Sequence, residues 1–152
     1  MILSNTRFGE IEYSADDIIS FSDGLIGFPS NTDFLLINPK PNTPFRWLQS
    51  IDEPSLAFLV AFTEAIVPAY APEVDDRIAS ELELDEETPQ MLLTTVTIPA
   101  GNPQEMTTNL LGPIIINGAT MKAKQVILTD DLYTVRHRVF ATTERVTEKV
   151  AA

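Results

Sequence analysis

Short apolar runs separated by proline, glycine and asparagine are the main pattern along the chain, and they predict many short β-strands. Residues 45–50 alternate between two faces, which is typical of a half-buried strand, and residues 56–62 form an apolar run typical of a fully buried one. The predicted strands are residues 7–13, 17–21, 34–37, 45–50, 56–62, 91–98, 113–118 and 125–128. Residues 131–140 fit either a strand or one helical turn.

One segment has the period of a helix. Val74, Ile78 and Leu82 recur at four-residue intervals and predict an apolar stripe on a short helix near residues 73–84. Pro72 precedes this segment, and the acids that follow suit the positive end of a helix dipole. Together with eleven prolines, most of them in predicted loops, the pattern predicts a mostly β fold: a small antiparallel β-barrel-like domain with one short helix.

Length and composition agree with a single domain. The 152 residues and the 44% hydrophobic content suit one folded unit with a substantial core. We expect the barrel-like domain to span residues 1–140, and residues 141–152 to form a mobile C-terminal tail because they have little apolar content. The longest apolar runs are too short to cross a bilayer, no signal-like N-terminus is visible and cysteine is absent, so we expect a cytoplasmic protein.

The charge of the chain narrows the choice of partner. There are 22 acids against 10 lysines and arginines, a net charge of −12, and eight of the acids fall within residues 73–87 beside one base, Arg77. Phosphate contacts need basic side chains, so direct binding of nucleic acid is not expected. An acidic field favours encounter with a basic protein. The same acidity also keeps a protein soluble, and composition leaves both interpretations open.

Side chains suited to catalysis are sparse. His137 is the only histidine, and it stands between Arg136 and Arg138, whose like charges disfavour its protonated form. The acids of residues 73–87 lie on the predicted helix, where a solvated face is the better interpretation than a general acid–base pair. The glycines of residues 24–29 lack the spacing of a phosphate loop, and no calcium loop is present, so no cofactor or metal is expected. The sequence therefore indicates a protein that is not an enzyme.

Two other functions remain as alternatives. A carboxylate-dependent hydrolase would need two acids that converge in a pocket with raised pKa values. A small-ligand-binding β-barrel would need an interior cavity of several hundred Å³. A structure distinguishes both alternatives from a protein that acts through its surface, because it shows whether such a pocket or such a cavity exists.

Four groups of residues together resemble the flagellar assembly factor FliW family. They are GLIGFP at 24–29 with Phe34, PFRWLQSIDEP at 44–54 with LAF at 56–58, VTIP at 96–99 with TNLLGPIIIN at 108–117, and QVIL at 125–128 with YTVRH at 133–137. Their order and spacing over residues 2–140 carry the resemblance. Residues 141–152 add nothing to it.

The resemblance implies a small β-barrel-like monomer that works by binding two proteins in turn. Members of the family bind newly made flagellin in the cytoplasm. When free of flagellin, they bind CsrA, a small basic RNA-binding regulator, and relieve its repression of flagellin synthesis. The expected function is thus a partner switch that couples flagellin synthesis to export.

Charge and aromatic content indicate where these partners bind. The acidic stretch and the loop before it are expected to form part of the CsrA-binding surface, with a tyrosine ring as anchor and acids that supply the field. The candidates there are Tyr70, Pro72, Glu73, Asp75 and Asp76. For flagellin, we expect Phe28 and the polar loop that contains Asn31 to contribute, either beside a groove that takes an apolar helix or at a strand edge.

Overall fold

The computed structural model describes residues 1–38, 40, 42–129 and 132–140, and seven of the strands in this part of the chain close into a barrel. The strands are β1 (Ile2–Thr6), β2 (Gly9–Glu12), β3 (Ile19–Phe21), β4 (Asp33–Ile37), β5 (Phe45–Ser50), β6 (Ala57–Phe62), β7 (Gln90–Thr97), β8 (Thr107–Thr108), β9 (Ile114–Asn117), β10 (Lys122–Gln125) and β11 (His137–Arg138). The helices are α1 (Thr63–Ile66) and α2 (Asp76–Glu81). The predicted mobile tail, 141–152, lies outside the described residues.

The barrel runs in the order β3-β4-β5-β6-β7-β9-β10, and β10 pairs back with β3. The mostly β barrel expected from the sequence is confirmed. Six neighbouring pairs are antiparallel, but the closing pair is parallel, with Lys122 beside Ser20 and Ala123 beside Phe21. The barrel is thus antiparallel at every neighbouring pair except the closing one. A closed ring with an odd number of strands cannot alternate direction at every step, so one pair has to be parallel.

The interior of the barrel is filled by side chains. Phe21 and Phe34 meet edge to face with ring centroids 5.3 Å apart, and neither ring is more than 1% exposed. The buried cluster consists of Ile19, Phe21, Leu25, Phe34, Leu48, Val60, Leu93, Ile114, Ile116 and Ala123. This packing argues against the small-ligand alternative, which needs an open interior.

The predicted single helix at 73–84 is shorter than expected, and it is not alone. It spans Asp76–Glu81, and α1 adds one helical turn directly after β6. The helix α2 lies on the outside of the barrel, where Ile78 and Leu82 pack against Ile115 of β9 and Val126. Within the part of the chain that the structure describes, no helix has the length and apolar character needed to cross a membrane.

A separate hairpin, β1–β2, covers part of the outer face of the barrel. Phe8 at its turn meets Trp47 of β5 edge to face, with ring centroids 5.7 Å apart. The guanidinium of Arg7 lies 4.2 Å from the centroid of the Trp47 ring, a cation–π contact. The hairpin therefore lies on β5, whereas α2 lies on β9, three strands further round the barrel.

Candidate protein-binding surfaces

The acidic residues 73–87 are held on the barrel by α2, and the sequence explains where this helix begins and ends. Asp75 is the N-cap residue, and its carboxylate accepts a hydrogen bond from the Ile78 backbone N–H at 2.9 Å. After the last turn, Glu83 adopts a left-handed conformation with φ of 56°. Its N–H donates to the Ser80 carbonyl, and the Leu84 N–H donates to the Ala79 carbonyl, which satisfies the end of the helix.

Asn117 of β9 holds this helix end against the barrel. Its side chain is 1% exposed, and its Nδ2 donates to the Leu82 carbonyl at 2.7 Å. The amide oxygen of the same side chain accepts hydrogen bonds from the backbone of Ala119 and Thr120. One buried amide therefore connects the acidic helix to the turn after β9.

The acids of this segment point to solvent, as the sequence predicts for a solvated face. Lys122 contacts Glu83 at 2.5 Å and Lys124 contacts Glu81 at 3.2 Å, so lysines of β10 neutralise two of the eight. The exposed acids are Glu73, Asp75, Asp76, Glu81, Glu83, Asp85, Glu86 and Glu87. We name these eight exposed acids the acidic surface. Within it, hydrogen bonds from the Thr88 side chain and the Glu87 N–H lower the pKa of Asp85.

Tyr70 does not present its ring on this surface, and the expected role as a ring anchor needs correction. It is 5% exposed, and its hydroxyl donates to the Leu110 carbonyl at 2.5 Å. Its ring packs edge to face on that of Tyr133, with centroids 4.6 Å apart, and the Tyr133 hydroxyl accepts a hydrogen bond from the Ala71 N–H. Burial, and then the neighbouring Tyr133, raise the pKa of Tyr70. Tyr70 thus positions the loop that leads to Pro72, which is half-buried, and to the acids beyond.

The two flagellin candidates differ in exposure. Phe28 is 38% exposed, and its ring packs edge to face on Phe58 with centroids 5.0 Å apart. Asn31 is only 4% exposed, and its Oδ1 accepts a hydrogen bond from the Ser50 hydroxyl at 2.6 Å. Asn31 therefore holds its loop to β5, so its expected place on the contact surface is corrected to a positioning role. Phe28 stays available to a partner.

The turn that carries Phe28 depends on Gly24. This residue has φ of 68°, and a Cβ there would lie 2.6 Å from the Phe28 carbonyl oxygen and 2.8 Å from Pro29 Cα. Only glycine fits such a close approach of backbone to backbone. The Ile26 N–H donates to Gln125 Oε1 at 3.1 Å, which fixes the turn at the end of β10.

A surface groove that no sequence pattern predicts lies beside this turn. It has a volume of about 360 Å³, and its lining comes from well-separated parts of the chain. The lining residues are Leu25, Ile26, Phe58, Leu59, Thr95, Val96, Thr97, Asn109, Gln125 and Ile127. Ile26 is 52% exposed and Ile127 is 63% exposed. No local motif marks the groove, because its side chains meet only when the barrel has formed. We name it the apolar groove.

The structure gives no support to a hydrolase. Within the described residues there is no group of three or more histidine, cysteine, aspartate or glutamate side chains placed to hold a metal ion. Asp23 and Asp85 have shifted pKa values, and both are lowered, opposite to what a general acid requires. His137 is half-buried on β11, where it pairs with Thr108.

A filled barrel with an acidic surface and an apolar groove defines a class: a small β-barrel protein whose distinctive features suit contact with other proteins. Sequence comparison narrows this class. A model of the family described as "FliW protein" matches residues 2–139. A flagellar assembly factor FliW from Alkaliphilus metalliredigens is 33% identical over 150 residues, which cover 98% of this chain and 92% of that relative. One from Geobacter sulfurreducens is 39% identical over 140 residues, covering 92% and 87%.

A solved structure agrees with these relatives. The crystal structure of the flagellar assembly factor FliW superposes with a TM-score of 0.82 at 32% identity, and the match covers 92% of this chain and 97% of that one. The chain belongs to the FliW family of flagellar assembly factors.

Proposed function

We propose that this protein binds flagellin in the cytoplasm and, when free of flagellin, binds CsrA and relieves its repression of flagellin synthesis. It acts as a monomer, by occupying its partners, and it catalyses no reaction. Membership of a family of flagellar assembly factors supports the general role. The observation that carries the CsrA part is the acidic surface: eight exposed acids within fifteen residues, held on the barrel by α2 and Asn117.

The electrostatic argument for CsrA concerns rate and specificity. A basic RNA-binding protein is attracted over a distance of about 10 Å at moderate salt, and the attraction is strongest near a cluster of acidic side chains. Glu73 and Asp76 are exposed and take no part in the N-cap of α2, which Asp75 provides. These two acids can therefore be changed without loss of the cap.

The test compares two double variants with the same net charge. Glu73→Lys with Asp76→Lys alters the acidic surface. Glu12→Lys with Asp16→Lys alters exposed acids at the end of the β1–β2 hairpin and on the 3-10 turn at Ala15–Asp17. We expect the first pair to slow association with CsrA by about tenfold at low ionic strength and to flatten its salt dependence, and the second pair to have a smaller effect. Equal rates for both pairs would remove the acidic surface from the proposal.

The manner of antagonism is tested with RNA. Titration of CsrA-bound RNA at several concentrations of this protein separates direct competition, in which excess RNA restores full binding, from an allosteric effect, in which it does not. The partner switch itself requires that purified flagellin displaces CsrA from this protein. Sedimentation of the free protein at micromolar concentration measures whether it is a monomer.

A further inference from the structure

Two neighbouring strands of the barrel separate next to the apolar groove. The register of β6 with β7 runs from Val60 opposite Thr95 to Phe62 opposite Leu93. Within the described residues, the first three residues of β6, Ala57 to Leu59, are registered with β5 alone, and Val96 and Thr97 of β7 pair with β8. The facing edges of β6 and β7 are therefore not paired with each other at this end of the barrel. Such edges are templates for another strand.

The apolar groove lies where these strands separate, and its chemistry differs from that of the surrounding surface. None of its ten lining residues is charged, although the chain as a whole has a net charge of −12. Exposed Ile26 and Ile127 stand on its border, and the rings of Phe28 and Phe58 meet beside it. An uncharged concave surface with exposed isoleucines is suited to apolar side chains of a partner.

A second groove continues the first one. It has a volume of about 600 Å³ and shares Thr95, Thr97 and Asn109 with the apolar groove. Its own lining adds Val135, which is 52% exposed, together with Arg136, Arg138 and one acid, Glu105. The combined path therefore runs from an uncharged end to an end with two arginines. This is the opposite charge pattern to that of the acidic surface.

We propose that this path binds an extended segment of flagellin by strand addition at the open edge of β6. Alternate side chains of the segment are apolar and enter the apolar groove, and acidic side chains further along it face Arg136. The inference rests on the proposed function and deepens it by assigning flagellin its own surface. Charge complementarity decides the occupant, because CsrA, as a basic protein, fits the acidic surface and is disfavoured beside Arg136 and Arg138.

The experiment uses intact flagellin and overlapping 15-residue peptides that cover it, with binding measured by calorimetry or fluorescence anisotropy. Ile26→Glu places a charge in the apolar groove, and Ile2→Glu is the matched control, because Ile2 is 59% exposed on the β1–β2 hairpin and lines neither groove. We expect Ile26→Glu to weaken flagellin binding about tenfold or more, and Ile2→Glu to change it less than about twofold. Binding of CsrA should be unaffected by either change. Arg136→Glu should weaken those peptides that contain acidic residues.

Backbone N-methylation of the bound peptide tests the mode of binding. Strand addition predicts that methyl groups weaken binding at every second position, since alternate N–H groups face the open edge. A helix in the groove would instead lose binding when any interior position is methylated, and its binding would depend on side chains three and four residues apart. That result would overturn the inference.

The remaining outcomes separate this inference from the proposed function. If the wild-type protein binds no flagellin, both fail. If it binds flagellin and Ile26→Glu binds as tightly as Ile2→Glu, only the assignment of the groove fails. The assignment also fails if a synthetic peptide of residues 141–152 competes for the groove as strongly as the flagellin peptide, or if the free protein is a dimer that Ile26→Glu dissociates.

Discussion

The acidic surface and the apolar groove differ in how the chain builds them. The acidic surface comes from one continuous stretch, 73–87, and its shape follows from a short helix with an N-cap and a left-handed end. The groove collects side chains from several strands and turns, among them Ile26, Phe58 and Ile127. The conformation of the acidic surface depends mainly on local interactions, with Asn117 and the apolar side of α2 joining it to the barrel, whereas the groove depends on the whole barrel.

This difference predicts different responses to mutation. Changes in the acidic surface should alter charge and the stability of one helix, with effects of about 1 kcal/mol or less. Changes that disturb the Gly24 turn or the barrel should affect the groove and the folding stability together. The two surfaces can therefore be damaged separately.

Gly24→Ala should have the largest effect, and it should fall on the groove. The new Cβ would collide with the Phe28 carbonyl and Pro29, and an L-residue is also strained at φ of 68°. We expect a loss of at least about 2 kcal/mol in the free energy of unfolding and weaker flagellin binding. Urea denaturation and calorimetry measure the two quantities.

Gly27→Ala is the control for this prediction. Gly27 has φ of 89°, but a Cβ there has nothing within 4 Å, so only the conformational strain remains. It should cost about 1 to 2 kcal/mol, less than Gly24→Ala. If the two variants are equally destabilised, the close approach of Gly24 to the Phe28–Pro29 backbone is not what shapes this turn.

Two substitutions of Asp75 distinguish its contribution to the charge of the acidic surface from its contribution to the stability of α2. Asp75→Asn removes the charge but keeps a good N-cap, so we expect unchanged stability and slower association with CsrA. Asp75→Ala removes both, and should also lower the free energy of unfolding by about 1 kcal/mol. Stopped-flow association and urea denaturation distinguish them. An equal loss of stability in both variants would contradict the capping role.

The smallest effect concerns the ion pair between Lys124 and Asp23, which lie 2.7 Å apart near the Gly24 turn. The hydrogen bond from Lys124, and then its charge, lower the pKa of Asp23, and the same bond raises the pKa of Lys124. The contribution of Asp23 is therefore present above its unfolded-state pKa of about 3.9 and is lost as the pH falls through its lower folded-state pKa. The contribution of Lys124 is lost at the opposite limit, as the pH rises through a folded-state pKa above its usual value.

The measurement is the urea midpoint at pH 6 and at progressively lower pH down to pH 2. The difference between the wild type and Asp23→Asn should be small at pH 6 and should disappear at the acid end. Asp16→Asn, at an exposed acid on the 3-10 turn, is the control. A difference that grows on acidification would have the wrong sign for a lowered pKa.

Strands with a clear apolar pattern were predictable, and those defined by pairing were not. The alternation of residues 45–50 gives β5 with the right bounds. The prediction of a strand at 125–128 was wrong, because β10 is Lys122–Gln125. The apolar side chains of Val126 and Leu128 favour a strand there, but they pack outside the barrel beneath α2. The backbone pairing of β10 instead involves Lys122 and Lys124, which flank buried Ala123.

The candidate surfaces show the same division. The acidic residues and the stripe of Ile78 and Leu82 follow from composition and period, and the structure has them where the sequence predicts. Tyr70 and Asn31 were assigned to the surface from residue type alone, but both are buried by partners distant in sequence, Leu110 and Ser50. The groove was missed for the same reason.

The parallel pairing of β10 with β3 has a consequence for synthesis of this protein. Ser20 and its neighbour Lys122 are 102 positions apart, so β3 can pair with β10 only after almost the whole domain has been translated. At 5–20 residues per second, that wait lasts roughly 5 to 20 seconds. A nascent chain therefore has its acidic stretch long before it has a closed barrel, and the site proposed for flagellin exists only on finished molecules.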